Sequence, residues 1–359
     1  MLTHADVRRL RVAAQHLHRP RRRSPTDLVR HLTGVQAQVL SGAALALCAR
    51  SDGLTAGAVD RARVRDRSIV LTWAMRGTLH LIAAEDYGWL VPLVTEPSVA
   101  TALRRLRQEG VSPEQPARAT RLIGRMLARE GPMTRAEIAE ELRRHHIRTE
   151  GQAIAHLVWH ASAQGLICHG PEHGREPTFV LVRDWLGDTR TPGKEAALAE
   201  LAVRYLNAHQ PAEPEDMASW SGVQQGEAKR AWQAIADRLV EVQTIRGPRW
   251  CLRSRRHPAR RGLVRLLPSF DEYLMGWKDR EPAVTAEHWR RVNRGGGWLH
   301  PVIVVDGRVV GTWAATRSSK GVRIDPHSFF GLAAPVREGI RAEGRRMGLF
   351  LGTAVDVRR

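Results

Sequence analysis

Apolar positions along this chain recur at helical spacing, then switch to strand-like runs, in a unit that appears more than once. Pro132-Met133-Thr134-Arg135-Ala136-Glu137 reads as a turn, an N-cap and a capping box. Ile138, Ala139 and Leu142 then supply one apolar helix face. After a turn at Arg148-Thr149-Glu150-Gly151, a second helix carries Ile154, Leu157, Val158 and Ala161 at helical spacing. Gly165-Leu166-Ile167-Cys168 starts a strand, Pro171-Glu172-His173-Gly174 turns it, and Thr178 to Val182 returns. Helix, turn, helix and hairpin outline a winged helix.

The pattern repeats ~75 residues later, as a duplicated unit would. Ala196 to Leu206 predicts a helix, Pro211 to Ala218 starts the next, and Gly222 turns the chain. Ala228 to Leu239 is the expected recognition helix, and Val240-Glu241-Val242 with Trp250-Cys251-Leu252 forms a wing about Arg246-Gly247-Pro248. A more diverged unit precedes both. It opens with a basic helix capped by Thr3 and Asp6, then a helix starting at Ser24-Pro25 and stopped by Gly34. A further helix from about Ser41 through Arg50 leads to the strand-rich Ile69 to Ile82, which breaks at Gly77. From residue 262 the texture is β-rich. Leu263 to Pro268 is a strand, and Val302 to Trp313 is a hairpin with Asp306-Gly307 at its turn. A basic turn, Arg317-Ser318-Ser319-Lys320-Gly321, precedes Val322-Arg323-Ile324, and a helix spans roughly Ala334 to Gly344.

Charge points these repeats at a partner. Lys+Arg 56 against Asp+Glu 37 gives a net charge of +19, which attracts polyanions and makes phosphate binding salt-sensitive. Cys48, Cys168 and Cys251 lie far apart, so neither a zinc site nor a disulfide framework is expected, and a reduced cytosol fits. The N-terminus lacks the apolar core of a signal peptide, and no apolar run approaches the ~20 residues of a membrane helix.

The familiar catalytic constellations are missing. There is no Gly-x-Ser-x-Gly elbow, no Walker loop and no His-Glu-x-x-His. His156 and His160 lie four apart on a helix, but no acidic or thiol ligand accompanies them, and a surface or groove-facing pair is the simpler reading. Asp271-Glu272, leaving a strand after Pro268-Ser269-Phe270, could supply a general base or merely cap the next segment. Most of the 11 tryptophans sit in core-like patterns; Trp298, beside Gly295-Gly296-Gly297, is the best candidate for stacking on a base.

Four ordered segments carry a resemblance. They are Val29-Arg30-His31-Leu32-Thr33-Gly34-Val35-Gln36-Ala37-Gln38, Thr72 to His80, Leu266 to Leu274, and Val304 to Trp313. Together they resemble the AlkZ/YcaQ-like winged-helix DNA glycosylase family over nearly the whole chain. The resemblance implies a mainly α fold with β wings (α+β). Three tandem winged-helix domains and a C-terminal β-barrel-like domain would sit in a C-shape around DNA. On this chain the expected boundaries are 1–100 (winged helix 1, with the catalytic motif), 101–189 (winged helix 2), 190–260 (winged helix 3) and 261–359 (the β-rich domain). The family's motif, Gln-apolar-Gln, falls on Gln36 and Gln38 as catalytic residues, in the form that resembles the bulky-adduct and crosslink branch. A DNA-contacting hairpin of the family falls on Arg317, Ser319, Lys320 and Arg323. Asp271, Trp298 and His300 are candidates for supporting roles. One departure is Gly276-Trp277, where the family pattern has Gly-Tyr.

The chemistry is coherent without a carboxylate base. N7-alkylation makes guanine cationic and hence an activated leaving group, so an enzyme need mainly position water and stabilise developing charge. A glutamine carbonyl can accept a hydrogen bond from that water while its NH₂ donates elsewhere. Side chains two apart share a face on an extended backbone but diverge by ~200° on a helix, so Val35 to Gln38 is expected to be extended or irregular. No lysine lies near the motif, which argues against a Schiff-base lyase. The implied function is a monofunctional DNA glycosylase for N7-alkylated guanine. It would need no cofactor or metal and would act on double-stranded DNA as a cytoplasmic, nucleoid-associated monomer. Some members of the family give makers of DNA-alkylating natural products self-resistance. The competing reading is a non-enzymatic, multi-winged-helix transcriptional regulator, which charge and repeats suit equally well.

Overall fold

A computed structural model describes the chain except residues 19, 20, 175, 254–257, 260, 320 and 359. It divides into two compact units: Met1–Asp60 with Leu198–Trp220 and Gln225–Arg359, and Arg61–Ala197 with Ser221–Gln224.

The second unit contains the clearest repeat. Strands Ile69–Trp73 and Leu79–Ala83 pair antiparallel around a short turn containing Gly77. Helix Tyr87–Gln108 follows, with Pro92 and Pro97 inside it, then Gln115–Glu130. The boundary expected at residue 100 falls within the first of these helices. Thr134 caps Arg135–Arg144, and the capping box with Glu137 is formed in both directions. Helix Ala153–Ala163 comes next, and strands Ile167–His173 and Glu176–Leu181 make the hairpin. Ile123, Leu127, Ile138, Leu142, Leu157 and Phe179 form the core beneath them.

In the first unit, Thr3 and Asp6 form the capping box of His4–Ala14, and Ser24 caps Pro25–Leu32 with Pro25 in its first turn. The segment read as the other repeat forms helices Pro214–Ser221 and Gln225–Ala234 and the hairpin Leu239–Thr244 with Gly247–Leu252. Leu2 N–H donates to Gln243 O at 2.7 Å, tying the N-terminus to this hairpin.

The C-terminal part is a curled, half-barrel-like sheet. Its strand order is Val264–Leu267, Val302–Val305, Arg308–Ser318, Gly321–Ser328 and Val355–Val357. The first four pair antiparallel, and the last joins parallel. Among the described residues the sheet does not close, since Val264–Leu267 and Val355–Val357 are its edges. Asp306 and Gly307, with φ of +48° and +79°, make the tight turn that an Asp-Gly pair favours. Helix Ala334–Leu351 covers the sheet through Ile340 and Met347, against Leu266, Ile303, Trp313 and Ile324. This helix runs beyond the expected end at Gly344. There a Cβ would lie 2.6 Å from Val357, so the glycine serves close packing rather than helix termination. Among the described residues no helix is long and apolar enough to cross a membrane.

Candidate active site

The Gln36–Gln38 segment owes its conformation to the way the preceding helix stops. Thr33 caps Pro25–Leu32 in the left-handed region, at φ +61°, and Gly34 follows at φ +127°. The Thr33 and Gly34 N–H groups close the last turn onto Arg30 O and Val29 O. The chain then leaves extended as Val35–Gln36, as the sequence predicts. Val35, Gln36 and Ala37 are buried, whereas Gln38 and Val39 are exposed. Helix Leu40–Cys48 begins immediately afterwards, without a side-chain cap from Val39. Its positive dipole end therefore lies beside Gln38.

Behind the motif stands the Phe270-Asp271-Glu272 turn, brought from the other end of the chain by strand Val264–Leu267. The Leu40–Cys48 helix meets this turn at Gly42, where a Cβ would make ordinary contact, 3.7 Å from Ser269 O. Phe270 sits at φ +60°, an unusual conformation for a bulky side chain. Asp271 caps the short helix Glu272–Met275, accepting the Tyr273 N–H at 2.9 Å. Its two oxygens also accept Arg50 Nη2 at 2.7 Å and Nη1 at 2.8 Å. Arg50 donates further to Gln15 Oε1 at 2.6 Å and Ala46 O at 2.9 Å. Both members of this ion pair are fully buried, so Asp271 is placed as a strut and helix cap, not as a solvent-facing base.

Glu272 reaches the motif itself. Its Oε1 accepts the backbone N–H of Gln36 at 3.0 Å, and its Oε2 accepts Trp220 Nε1–H at 2.9 Å. His209 Nε2 lies 3.9 Å from Oε2. Burial pushes His209 down to about 3, so the ring is neutral near pH 7. A neutral ring fits Nδ1–H donation to Tyr205 O, 3.1 Å away. Gly276 leaves room for that ring, since a Cβ there would collide with it. Trp277 anchors the far side, donating to His209 O at 2.8 Å.

The other candidates lie at varied positions around this centre. Trp298 is 46% exposed and meets Phe270 edge-on at 5.2 Å between ring centroids. His300 N–H donates to Val292 O at 2.8 Å, and its ring is lowered from the usual histidine range by burial and by Arg294 and His327. Arg317 pairs in register with Val322, and Thr316 with Arg323, at the tip of the Arg308–Ser318/Gly321–Ser328 hairpin. Arg317, Ser319 and Arg323 are exposed there, while Lys320 lies outside the described residues. His160 is engaged by Thr120 and Gln164. Among the described residues no three His, Cys, Asp or Glu side chains gather as a metal set would.

Sequence reasoning missed Arg50, Gln15, Trp220 and His209. Each reaches the Asp271-Glu272 turn from a distant part of the chain, and no local spacing marks them. The signal within reach was the carboxylate pair itself, since two adjacent acids entering a core need partners.

Residues 29–350 match the family described as DNA glycosylase AlkZ-like. The chain belongs to this AlkZ-like DNA glycosylase family and is a DNA N-glycosylase. It is 31% identical over 325 residues to an interstrand DNA cross-link repair glycosylase of Streptomyces sahachiroi, covering 84% of this chain and 85% of that one. The solved structure of Streptomyces sahachiroi DNA glycosylase AlkZ matches with a TM-score of 0.83 at 28% identity, over 99% of each chain.

Proposed function

We propose that this glycosylase removes N7-alkylated guanine from double-stranded DNA, bulky adducts and interstrand crosslinks included, and that it works as a monomer. The observation that carries the reading is the Gln36–Gln38 segment. It begins at the end of the extended Val35–Gln36 stretch, is fixed at the Gln36 backbone by Glu272 and is exposed at Gln38, in a chain similar over most of its length to a crosslink-repair glycosylase. Gln36 and Gln38 hold a water molecule against C1′. Its oxygen bonds to C1′ as the C1′–N9 bond breaks, and the bonding pair neutralises the cationic base. The water's proton leaves to solvent along the glutamine hydrogen bonds. A neutral amide is a weak base, which restricts the enzyme to lesions that are already good leaving groups.

The helix pairs with hairpins act as three winged helices that grip the duplex. Arg317, Ser319, Lys320 and Arg323 contact its phosphates. Trp298 stacks on a base exposed at the lesion, with Phe270 bracing its edge. In a producer of a DNA-alkylating compound, this activity would confer self-resistance. The test is incubation with a duplex holding one N7-alkylguanine, followed by mass spectrometry. Release of the free alkylated base with an intact strand carrying an abasic site is expected. Strand cleavage, or no release, would refute the reading.

A further inference from the structure

Glu272 is a fully buried acid, one of whose oxygens accepts the backbone N–H of the motif's Gln36. Its position has two parts. Asp271, one residue before it, is locked by Arg50, Gln15 and Ala46 through a buried network. Glu272 itself spans the Gln36 N–H at 3.0 Å and the Trp220 indole N–H at 2.9 Å. The Oε1 bond satisfies the buried Gln36 N–H. In a buried site it is also costly to leave unmade. The carboxylate therefore fixes the backbone of the residue whose side chain, together with that of Gln38, must be placed within tenths of an ångström. Phe270, immediately before Asp271, is held in the left-handed region at φ +60°.

We infer that Glu272 is a positioning residue of this glycosylase. It holds the Gln36–Gln38 backbone in its reactive geometry through the Gln36 N–H, with Trp220 holding the other carboxylate oxygen. The inference rests on the reading of Gln36 and Gln38 as the catalytic pair. Glu272 is 0% exposed, so it offers no surface to a bound duplex. It sets the rate of the chemical step and leaves DNA affinity alone.

The experiment compares wild type, Glu272→Gln, Trp220→Phe, Gln36→Ala and Gln36→Ala/Glu272→Gln, with single-turnover release of 7-methylguanine from a duplex, DNA affinity and melting temperature. The Gln36 amide resonance is followed in glutamine-labelled protein. Glu272→Gln is isosteric and keeps an acceptor. It should lower the rate about tenfold to a hundredfold, with DNA affinity unchanged and the Gln36 amide proton moved upfield. Trp220→Phe should give a smaller loss in the same direction. In the Gln36→Ala background, Glu272→Gln should cost less than in wild type, because part of what it positions is already gone. Folded Glu272→Gln with wild-type rate, or with the same fold-loss in both backgrounds, would overturn the inference. If Gln36→Ala alone retains full rate, it is the reading of the catalytic pair that fails.

Discussion

Arg50 grips Asp271 by two parallel hydrogen bonds, at 2.7 and 2.8 Å, with both side chains fully buried and a sequence separation of 221 positions. This contact ties the helix after the glutamine motif to the turn behind it. Asp271→Asn removes the counter-charge and leaves a guanidinium buried, which should cost about 3–5 kcal/mol. Adding Arg50→Met should recover part of that loss, because the uncompensated charge goes with it. Urea unfolding of the single and double variants checks this; losses that simply add would contradict it.

Acid should destabilise the fold early. Burial pushes His80 and His209 down to about 3 and His169 to about 4, from an ordinary 6.5. Above pH 6.5 the rings are neutral in both states, and their contribution is complete. As pH falls below 6.5 the unfolded chain takes up protons that the native chain refuses. Each ring then costs up to about 1.4 kcal/mol per pH unit. The melting temperature should fall between pH 7 and 5.5. Among the described residues neither nitrogen of His169 has a hydrogen-bond partner, and the ring packs on Trp73 and Phe179. His169→Leu should therefore be tolerated and should flatten the pH slope.

The hairpin tip should show itself through salt. If Arg317 and Arg323 each neutralise one phosphate, replacing either by Ala should reduce the slope of log affinity against log salt by about 0.9. Titration of undamaged duplex at several ionic strengths measures this. An unchanged slope in both variants would remove the hairpin from the DNA interface.

Trp298 should contribute by its ring. Trp298→Ala is expected to weaken binding to lesion-bearing duplex by about 1–3 kcal/mol, and Trp298→Phe by less. Equal affinity of Trp298→Ala and wild type would leave its exposure without this function.

Local chemistry made much of the fold readable. The capping boxes at Thr3 and Thr134, the Ser24-Pro25 start and the Asp306-Gly307 turn are short-range devices, and each forms where its residues stand. Helix Tyr87–Gln108 was hidden because Pro92 and Pro97 argue against a helix, yet both are accommodated within it. The site was only half visible. Gln36-Ala37-Gln38 has no signature beyond two polar residues near a glycine, and only its resemblance to a known motif raises it above an ordinary linker. Asp271-Glu272 could be seen as a pair that either caps or catalyses. What decides it, Arg50 on one carboxylate and Gln36 N–H with Trp220 on the other, is assembled by tertiary structure from three distant segments.

The central claim is that Gln36 and Gln38 perform the hydrolysis. Single-turnover release of 7-methylguanine from duplex DNA, with wild type, Gln36→Ala and Gln38→Ala at saturating enzyme, tests it directly. Each variant should bind DNA normally and release base roughly a hundredfold or more slowly. Undiminished release by either variant would contradict the mechanism.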